Sequence, residues 1–261
     1  MDTALVTGAS RGVGKGVAVA LAAAGFKVFA TGRSVGSADL PAPIERIHCD
    51  HTSDTDTQAV FRRIEDAGGL AVLVNSAWGG YERMMENGEF TWPAPFWQQS
   101  PHRWSSMIDA GVRAAFFASA YAARIMIRQR RGLIVNISYW AAQRHLGNTV
   151  YGIAKAATDK MTSDMARELR GYGVAAISLY PGLVRTERVL AAAQGGWLDL
   201  TNSESPEFIG KVVAALYTDP GLLKRSGTVI VAAEAARELG IVDTDGRQPV
   251  PLSLEALAGC E

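Results

Sequence analysis

Tyr151 and Lys155 stand four residues apart in "TVYGIAKAATDK", a stretch of helical pattern, so their side chains share one helix face. Taken alone, such a pair is an ordinary helix surface. Ser138, thirteen residues before Tyr151, changes that reading because it closes the apolar run "GLIVNIS" (132–138). The carboxyl end of a buried strand is where open α/β sheets bind ligands. A phenol, an ammonium and a hydroxyl gathered there suit one chemistry. Reducing a carbonyl needs a hydride at carbon and a proton at oxygen; oxidising an alcohol reverses both. A free phenol, with a pKa of about 10, exchanges protons slowly near neutrality. A nearby ammonium favours phenolate and is expected to lower that value, making Tyr151 a proton donor or acceptor. Ser138 would hydrogen-bond the substrate oxygen and steady its developing charge.

Hydride chemistry needs a carrier, and "TALVTGASRGVG" (3–14) offers a place for one. A short apolar run enters a loop with Gly8, Gly12 and Gly14 and then a helix. Such a turn aims free backbone N–H groups and the positive helix end at one point, where a pyrophosphate can sit. An ordinary strand–helix turn has the same outline, and this motif alone leaves both readings open.

The elements that must position these groups alternate along the chain. Strands are expected at 3–6, 26–31, 44–50, 70–75, 132–138, 174–180 and 227–233, with helices from 13 to Gly25, 54–67, 151–170 and 206–217. The longest helix lies between the strands at 70–75 and 132–138. Its apolar stripe is read as Trp104, Met107, Ile108, Gly111, Val112, Ala115, Phe116, Ala120 and Ala123. Strands apolar on both faces indicate a parallel sheet between helix layers. The expectation is an α/β fold, one doubly wound Rossmann-type domain over 1–261 with about seven parallel strands. Two long segments interrupt it. Residues 77–103 carry Trp78, Tyr81, Phe90, Trp92, Phe96 and Trp97; residues 183–204 form a candidate substrate lid containing Trp197. The aromatic segment could line a substrate pocket or could pack a core or a subunit contact. Trp140 is expected to line the pocket. Arg144 and His145 read as surface polar residues, and the tail from Val242 as a surface strip.

The bulk properties exclude several classes. The chain has 261 residues, 48% hydrophobic and 20% charged, and a formal net charge of zero, with no basic footprint for nucleic acid or anionic membrane. Cys49 and Cys260 make no disulfide framework, and four scattered histidines show no metal spacing, so no metal is expected. No run of consecutive apolar residues approaches the ~20 of a membrane span. With no basic-apolar leader read at the start, the expected location is cytoplasmic.

The glycine spacing T-G-x-x-x-G-x-G, the ordered set Ser138, Tyr151, Lys155, the segment "NSAW" (75–78) and "PGLVRT" (181–186) together resemble the short-chain dehydrogenase/reductase family from residue 2 to about residue 235. The resemblance implies catalysis by Ser138, Tyr151 and Lys155, with Lys155 also holding the nicotinamide ribose. It implies cofactor contacts from Gly8, Ser10, Arg11, Gly12, Val13, Gly14, Asp50, Ala77, Pro181, Gly182, Val184 and Thr186, with Asn75 bracing the sheet. It also implies a homodimer or homotetramer.

The choice of cofactor follows from charge. NAD-preferring proteins place an acid at the end of the second strand; that position here is Gly32, followed by Arg33, with Arg11 in the first loop. Guanidinium groups suit a 2′-phosphate, so NADP(H) is preferred and NAD(H) is the alternative. "NSAW" replaces the family's usual N-N-A-G, and Gly111 stands where the family carries an asparagine that relays protons to the lysine. Gly111, the aromatic segment and "LGIVDTDGR" (239–247) resemble one branch of the family with mammalian and bacterial members. The expected activity is reduction of a small or medium apolar ketone or aldehyde, or oxidation of a secondary alcohol. The departure at Gly111 keeps a non-catalytic dinucleotide-binding regulator as the rival. A dehydratase or epimerase of the extended relatives would need an added substrate domain that the chain lacks.

Overall fold

Seven segments pair into one parallel sheet in the computed structural model, which describes residues 1–196 and 198–258. Trp197 and Cys260 therefore lie outside the described residues. In chain order, β1 (Thr3–Val6) leads to α1 (Gly12–Ala23), β2 (Lys27–Gly32), β3 (Glu45–His48), α2 (Asp54–Asp66) and β4 (Val72–Asn75). A small hairpin follows, β5 (Met85–Glu86) with β6 (Glu89–Phe90). A long helix comes next, opening as α3 (His102–Trp104) and closing as α4 (Ala114–Gln129). The second half holds β7 (Gly132–Ile137), α5 (Thr149–Leu169), β8 (Val174–Tyr180), β9 (Leu183–Val184), α6 (Glu187–Gln194) and β10 (Ser203–Glu204). It ends with α7 (Pro206–Thr218), α8 (Leu222–Arg225), β11 (Val229–Val231), α9 (Ala232–Glu238) and α10 (Leu254–Ala258).

The sheet order is β11-β8-β7-β4-β1-β2-β3, and every pairing within it is parallel. Strand order reverses between β1 and β4, so their carboxyl ends open the crevice where this architecture places ligands. Alternate residues serve opposite faces. Ala4 and Val6 join Val17, Leu21, Phe208 and Val212 in one apolar layer; Leu5 and Leu73 join Val60, Ile64, Ala118 and Met126 in the other. Each fully buried Leu, Val or Phe side chain contributes roughly 1.5–3 kcal/mol.

The long helix departs from the expected stripe. Met107 and Gly111 are buried as read, but Ala114, Ala118, Ala122 and Ile125 face inward beyond them, while Trp104 and Phe116 are about half exposed. The cause is a π-helical segment, Ser105–Arg113, in which the Ala114 N–H reaches back to the Asp109 carbonyl. Wider turns rotate everything downstream. The whole helix, His102–Gln129, has a mean hydropathy of 1.2 over its most apolar window and is long enough by length and composition to cross a membrane. That corrects the sequence reading, which counted only unbroken apolar runs. Here the helix lies along β4 and β7 within the fold.

Candidate active site

The crevice begins at Gly8. Its backbone sits at φ +67°, and a Cβ there would lie 2.6 Å from the Ala77 Cα and the Ser76 carbonyl oxygen, so only glycine fits. The Thr7 hydroxyl accepts the N–H groups of both Ser76 and Ala77 at 3.1 Å, fixing the end of β1 to the end of β4. Helix α1 then starts with Arg11 at its N-cap, no side-chain cap and no acidic residue in its first turn. The Gly12 N–H donates instead to the Glu187 carboxylate at 2.9 Å. The positive helix end thus faces a carboxylate of the lid segment. Gly14 packs against Gly8, and Val13 packs on the core.

Arg11 and Arg33, distant in sequence, converge on one oxygen of Glu82, at 2.8 and 3.5 Å. Gly32, between them and the loop, has the Ser10 hydroxyl 2.7 Å from where a Cβ would be. Asp50 is partly buried, which would raise its carboxyl. The N–H and hydroxyl of Thr52 and the charge of Arg33 outweigh burial and hold it below the usual carboxylate range.

The other end of the crevice gathers the catalytic candidates. Asn148 caps α5, accepting the Tyr151 N–H at 3.1 Å and giving a side-chain N–H to the Trp92 carbonyl at 3.0 Å. Tyr151 and Lys155 follow on the inner face, 5% and 7% exposed. Lys155 Nζ donates to the Ile137 carbonyl at 3.0 Å and lies 4.4 Å from the centre of the Trp78 ring. Ser138, 1% exposed, points its hydroxyl at the Lys155 carbonyl at 3.4 Å. The three are thus neighbours, but the Tyr151 hydroxyl pairs with the Tyr81 hydroxyl at 3.0 Å. Trp78, Tyr81, Trp92 and Tyr139 surround the Tyr151 ring. The 77–103 segment therefore builds this end of the site. Trp140, expected to line the pocket, packs edge-on against Tyr180 at 5.2 Å.

Burial and the neighbouring phenols Tyr81, Tyr139 and Tyr180 raise Tyr151 well above an ordinary phenol. This reverses the sequence expectation. The ammonium that was to lower it is itself depressed, to about 8, by burial, against the favourable charge of Asp159. Desolvation is the largest cause for both groups. Beneath the site, the Tyr180 hydroxyl donates to Asp159, one helical turn beyond Lys155. Asn75 braces the sheet as expected, bonding Asn136 on β7 at 2.8 Å and Ser119 on α4 at 2.9 Å.

The 183–204 segment closes over the crevice. Pro181 and Gly182 leave β8, Val184 is buried in β9, and Thr186 caps α6. The Gly182 N–H donates to the Glu204 carboxylate at 2.8 Å. Burial raises Glu204 to about 7, against the hydrogen bond from Gly182. The tail is not a surface strip at its start. Asp243 is 2% exposed and takes Arg185 at 3.0 Å and the Ser205 N–H at 2.8 Å. A buried carboxylate needs such partners, and here they staple the tail to the lid. Among the described residues no three His, Cys, Asp or Glu side chains gather as metal ligands.

The short-chain dehydrogenase family model matches residues 2–195. The chain belongs to the short-chain dehydrogenase/reductase family. It is 36% identical to mouse dehydrogenase/reductase SDR family member 1 over 93% of this chain and 83% of that one. It is 28% identical to a 3-oxoacyl-[acyl-carrier-protein] reductase of Vibrio cholerae, covering 89% and 91%. A solved short-chain type dehydrogenase/reductase from Mycobacterium ulcerans superposes with a TM-score of 0.74 at 28% identity, covering 88% of this chain and 87% of the other. In this short-chain dehydrogenase, sequence reasoning missed Glu82, Glu187, Glu204, Asp159 and Tyr180 as parts of the site. Asp159 was legible, four residues past Lys155 on the same face. Glu82 was not, because its long segment shows no periodicity.

Proposed function

We propose that this short-chain dehydrogenase is an NADP(H)-dependent carbonyl reductase, running also in reverse on secondary alcohols. One observation carries the reading. Ala77 abuts Gly8 of the phosphate loop, and the next residue, Trp78, abuts Lys155, so cofactor loop and proton-transfer residues meet at the end of β4.

Three features support a dinucleotide in the crevice: Gly8 and Gly14 let the loop pack tightly on backbone, the Gly12 N–H at the α1 N-terminus meets a carboxylate, and two guanidinium groups converge nearby. When bound, the nicotinamide supplies or accepts the hydride. The α1 N-terminus would hold the pyrophosphate, and Arg11 with Arg33 the 2′-phosphate. Tyr151, raised by burial, is fully protonated at neutral pH and so is set to donate to a carbonyl oxygen. Lys155 keeps positive charge below its pKa of about 8 and stabilises the phenolate left behind. Ser138 offers a hydroxyl to the same oxygen. Trp78, Tyr81 and Trp92 make an aromatic wall that excludes water and suits an apolar small molecule. Self-assembly into two or four copies belongs to the proposal, supported by the half-exposed Phe116 on α4 and Ile153 on α5.

The test is a screen of ketones and aldehydes followed by loss of reduced-nicotinamide absorbance, then Tyr151→Phe. The variant should bind NADPH as the parent does and lose about 10²–10⁴-fold in kcat. Equal turnover by parent and variant refutes the proton-transfer role.

A further inference from the structure

Two departures from the family pattern meet in space. Trp78 stands where the family has glycine, and Gly111 where it has asparagine. A Cβ at Gly111 would lie 2.8 Å from Cε3 and Cζ3 of the Trp78 ring, which are rigid ring atoms and not a flexible tip. A Cβ at Gly80 would lie 2.5 Å from Cζ2 of the same ring. The indole is thus slotted between two glycines, one on the π-helical turn and one in its own loop. Its N–H is buried and has no hydrogen-bond partner among the described residues, so packing sets its place. Its face meets the Lys155 ammonium at 4.4 Å from the ring centre. An indole face is the most favourable aromatic surface for a cation, above all where water is excluded.

We propose that Trp78 is a positioning residue that seats and stabilises the Lys155 ammonium through its indole face, with Gly111 conserving the space for it. The exchange of size between positions 78 and 111 then has one cause. This rests on the reductase reading for its chemical meaning, but its physical content concerns Lys155 alone. The groups facing Lys155 are Tyr151 and Asp159 on its own helix and the Ile137 carbonyl at the end of β7; the phenols Tyr81, Tyr139 and Tyr180 act on Tyr151 in turn. Only Asp159 contributes negative charge while the phenols keep their protons, and it bonds Tyr180. The indole face supplies a further favourable contact, beside the Ile137 carbonyl at 3.0 Å and the charge of Asp159.

The experiment uses the unliganded full-length protein. Its six lysines, Lys15, Lys27, Lys155, Lys160, Lys211 and Lys224, give a simple ¹³C-lysine spectrum, assigned with Lys155→Met. In the parent, the Lys155 ε-CH₂ protons should show an upfield ring-current shift and titrate near 8. Trp78→Leu should abolish the upfield shift and lower the titration midpoint by about one pH unit. Trp78→Phe keeps a ring in the slot, should the leucine variant fail to fold, and should lower the midpoint by about half as much. Gly111→Ala should displace the ring and reduce the upfield shift, yet change nothing further in the Trp78→Leu background. The alkaline limb of kcat should move with the lysine midpoint. An ordinary ε-CH₂ shift in the parent, or an unmoved midpoint in Trp78→Leu, overturns the assignment even if the protein is a competent reductase. A moved lysine signal in a protein that reduces no carbonyl compound upholds it and refutes the reductase reading instead.

Discussion

Glu82 stands between the two guanidinium groups proposed to bind a 2′-phosphate, so replacing it with Gln tests the cofactor assignment directly. Its carboxylate pairs with Arg11 at 2.8 Å and Arg33 at 3.5 Å, with side chains 64% and 61% exposed on the arginines and 36% on the glutamate. Pairs this exposed contribute roughly 0.2–1 kcal/mol each. Two of them at mid-range come to about 1 kcal/mol, which a 2′-phosphate must overcome to take the arginines. Glu82→Gln removes that competition and leaves a side chain of the same shape. NADPH should therefore bind about fivefold tighter to the variant. NADH, which brings no 2′-phosphate, should change by less than twofold. The gain should shrink as salt rises and screens the exposed charges. Calorimetric titration of both cofactors into parent and variant at two salt concentrations reads all three quantities. Equal tightening of NADPH and NADH would mean that Glu82 merely latches the aromatic segment over the crevice. An unchanged NADPH affinity would mean that Arg11 and Arg33 do not read the phosphate.

The remaining predictions follow from the same crevice and lid. Arg33→Ala should weaken NADPH by roughly 10–100-fold, the loss of charge-assisted hydrogen bonds, and leave NADH nearly unchanged; equal loss for both cofactors sinks the 2′-phosphate reading. Glu204 is expected to make the fold less stable as pH rises. Its folded pKa, about 7, lies above the ordinary 4.5, so between those values the unfolded chain has released a proton the fold still holds. Stability should fall across that window by roughly 3 kcal/mol. Glu204→Gln, which can still accept the Gly182 N–H, should flatten that slope and stabilise the protein at pH 8. Denaturant titrations of both proteins at pH 5 and 8 measure this, and because buried His51, lowered to about 4, pulls the parent the other way, equal pH slopes in parent and variant refute the argument.

Much of the scaffold could be read from the chain because its signals are local. Continuous apolar runs marked β1, β4, β7 and β8 as strands buried on both faces. The turn residues Gly25, Gly68 and Gly69 marked where helices stop. The long helix was harder, because a π-helical turn changes the residue count per turn and no single residue announces it. Ser138, Tyr151 and Lys155 were legible as a set, their spacing tying a strand end to a helix face. The protonation behaviour of Tyr151 was not, because it depends on how much water the aromatic segment excludes.

The sequence by itself determined the order of the elements, the parallel sheet, the phosphate-loop turn and the identity of the proton-transfer candidates. These follow from periodicity, backbone freedom and functional-group chemistry, which act within a few residues. Tertiary structure decided what surrounds them: Glu82 between two arginines, Glu187 on the α1 N-terminus, Tyr81 on Tyr151 and Trp78 under Lys155. Those contacts join residues 49 to 175 positions apart. Charge and desolvation act through space, so the chain order that reveals a helix carries no record of them.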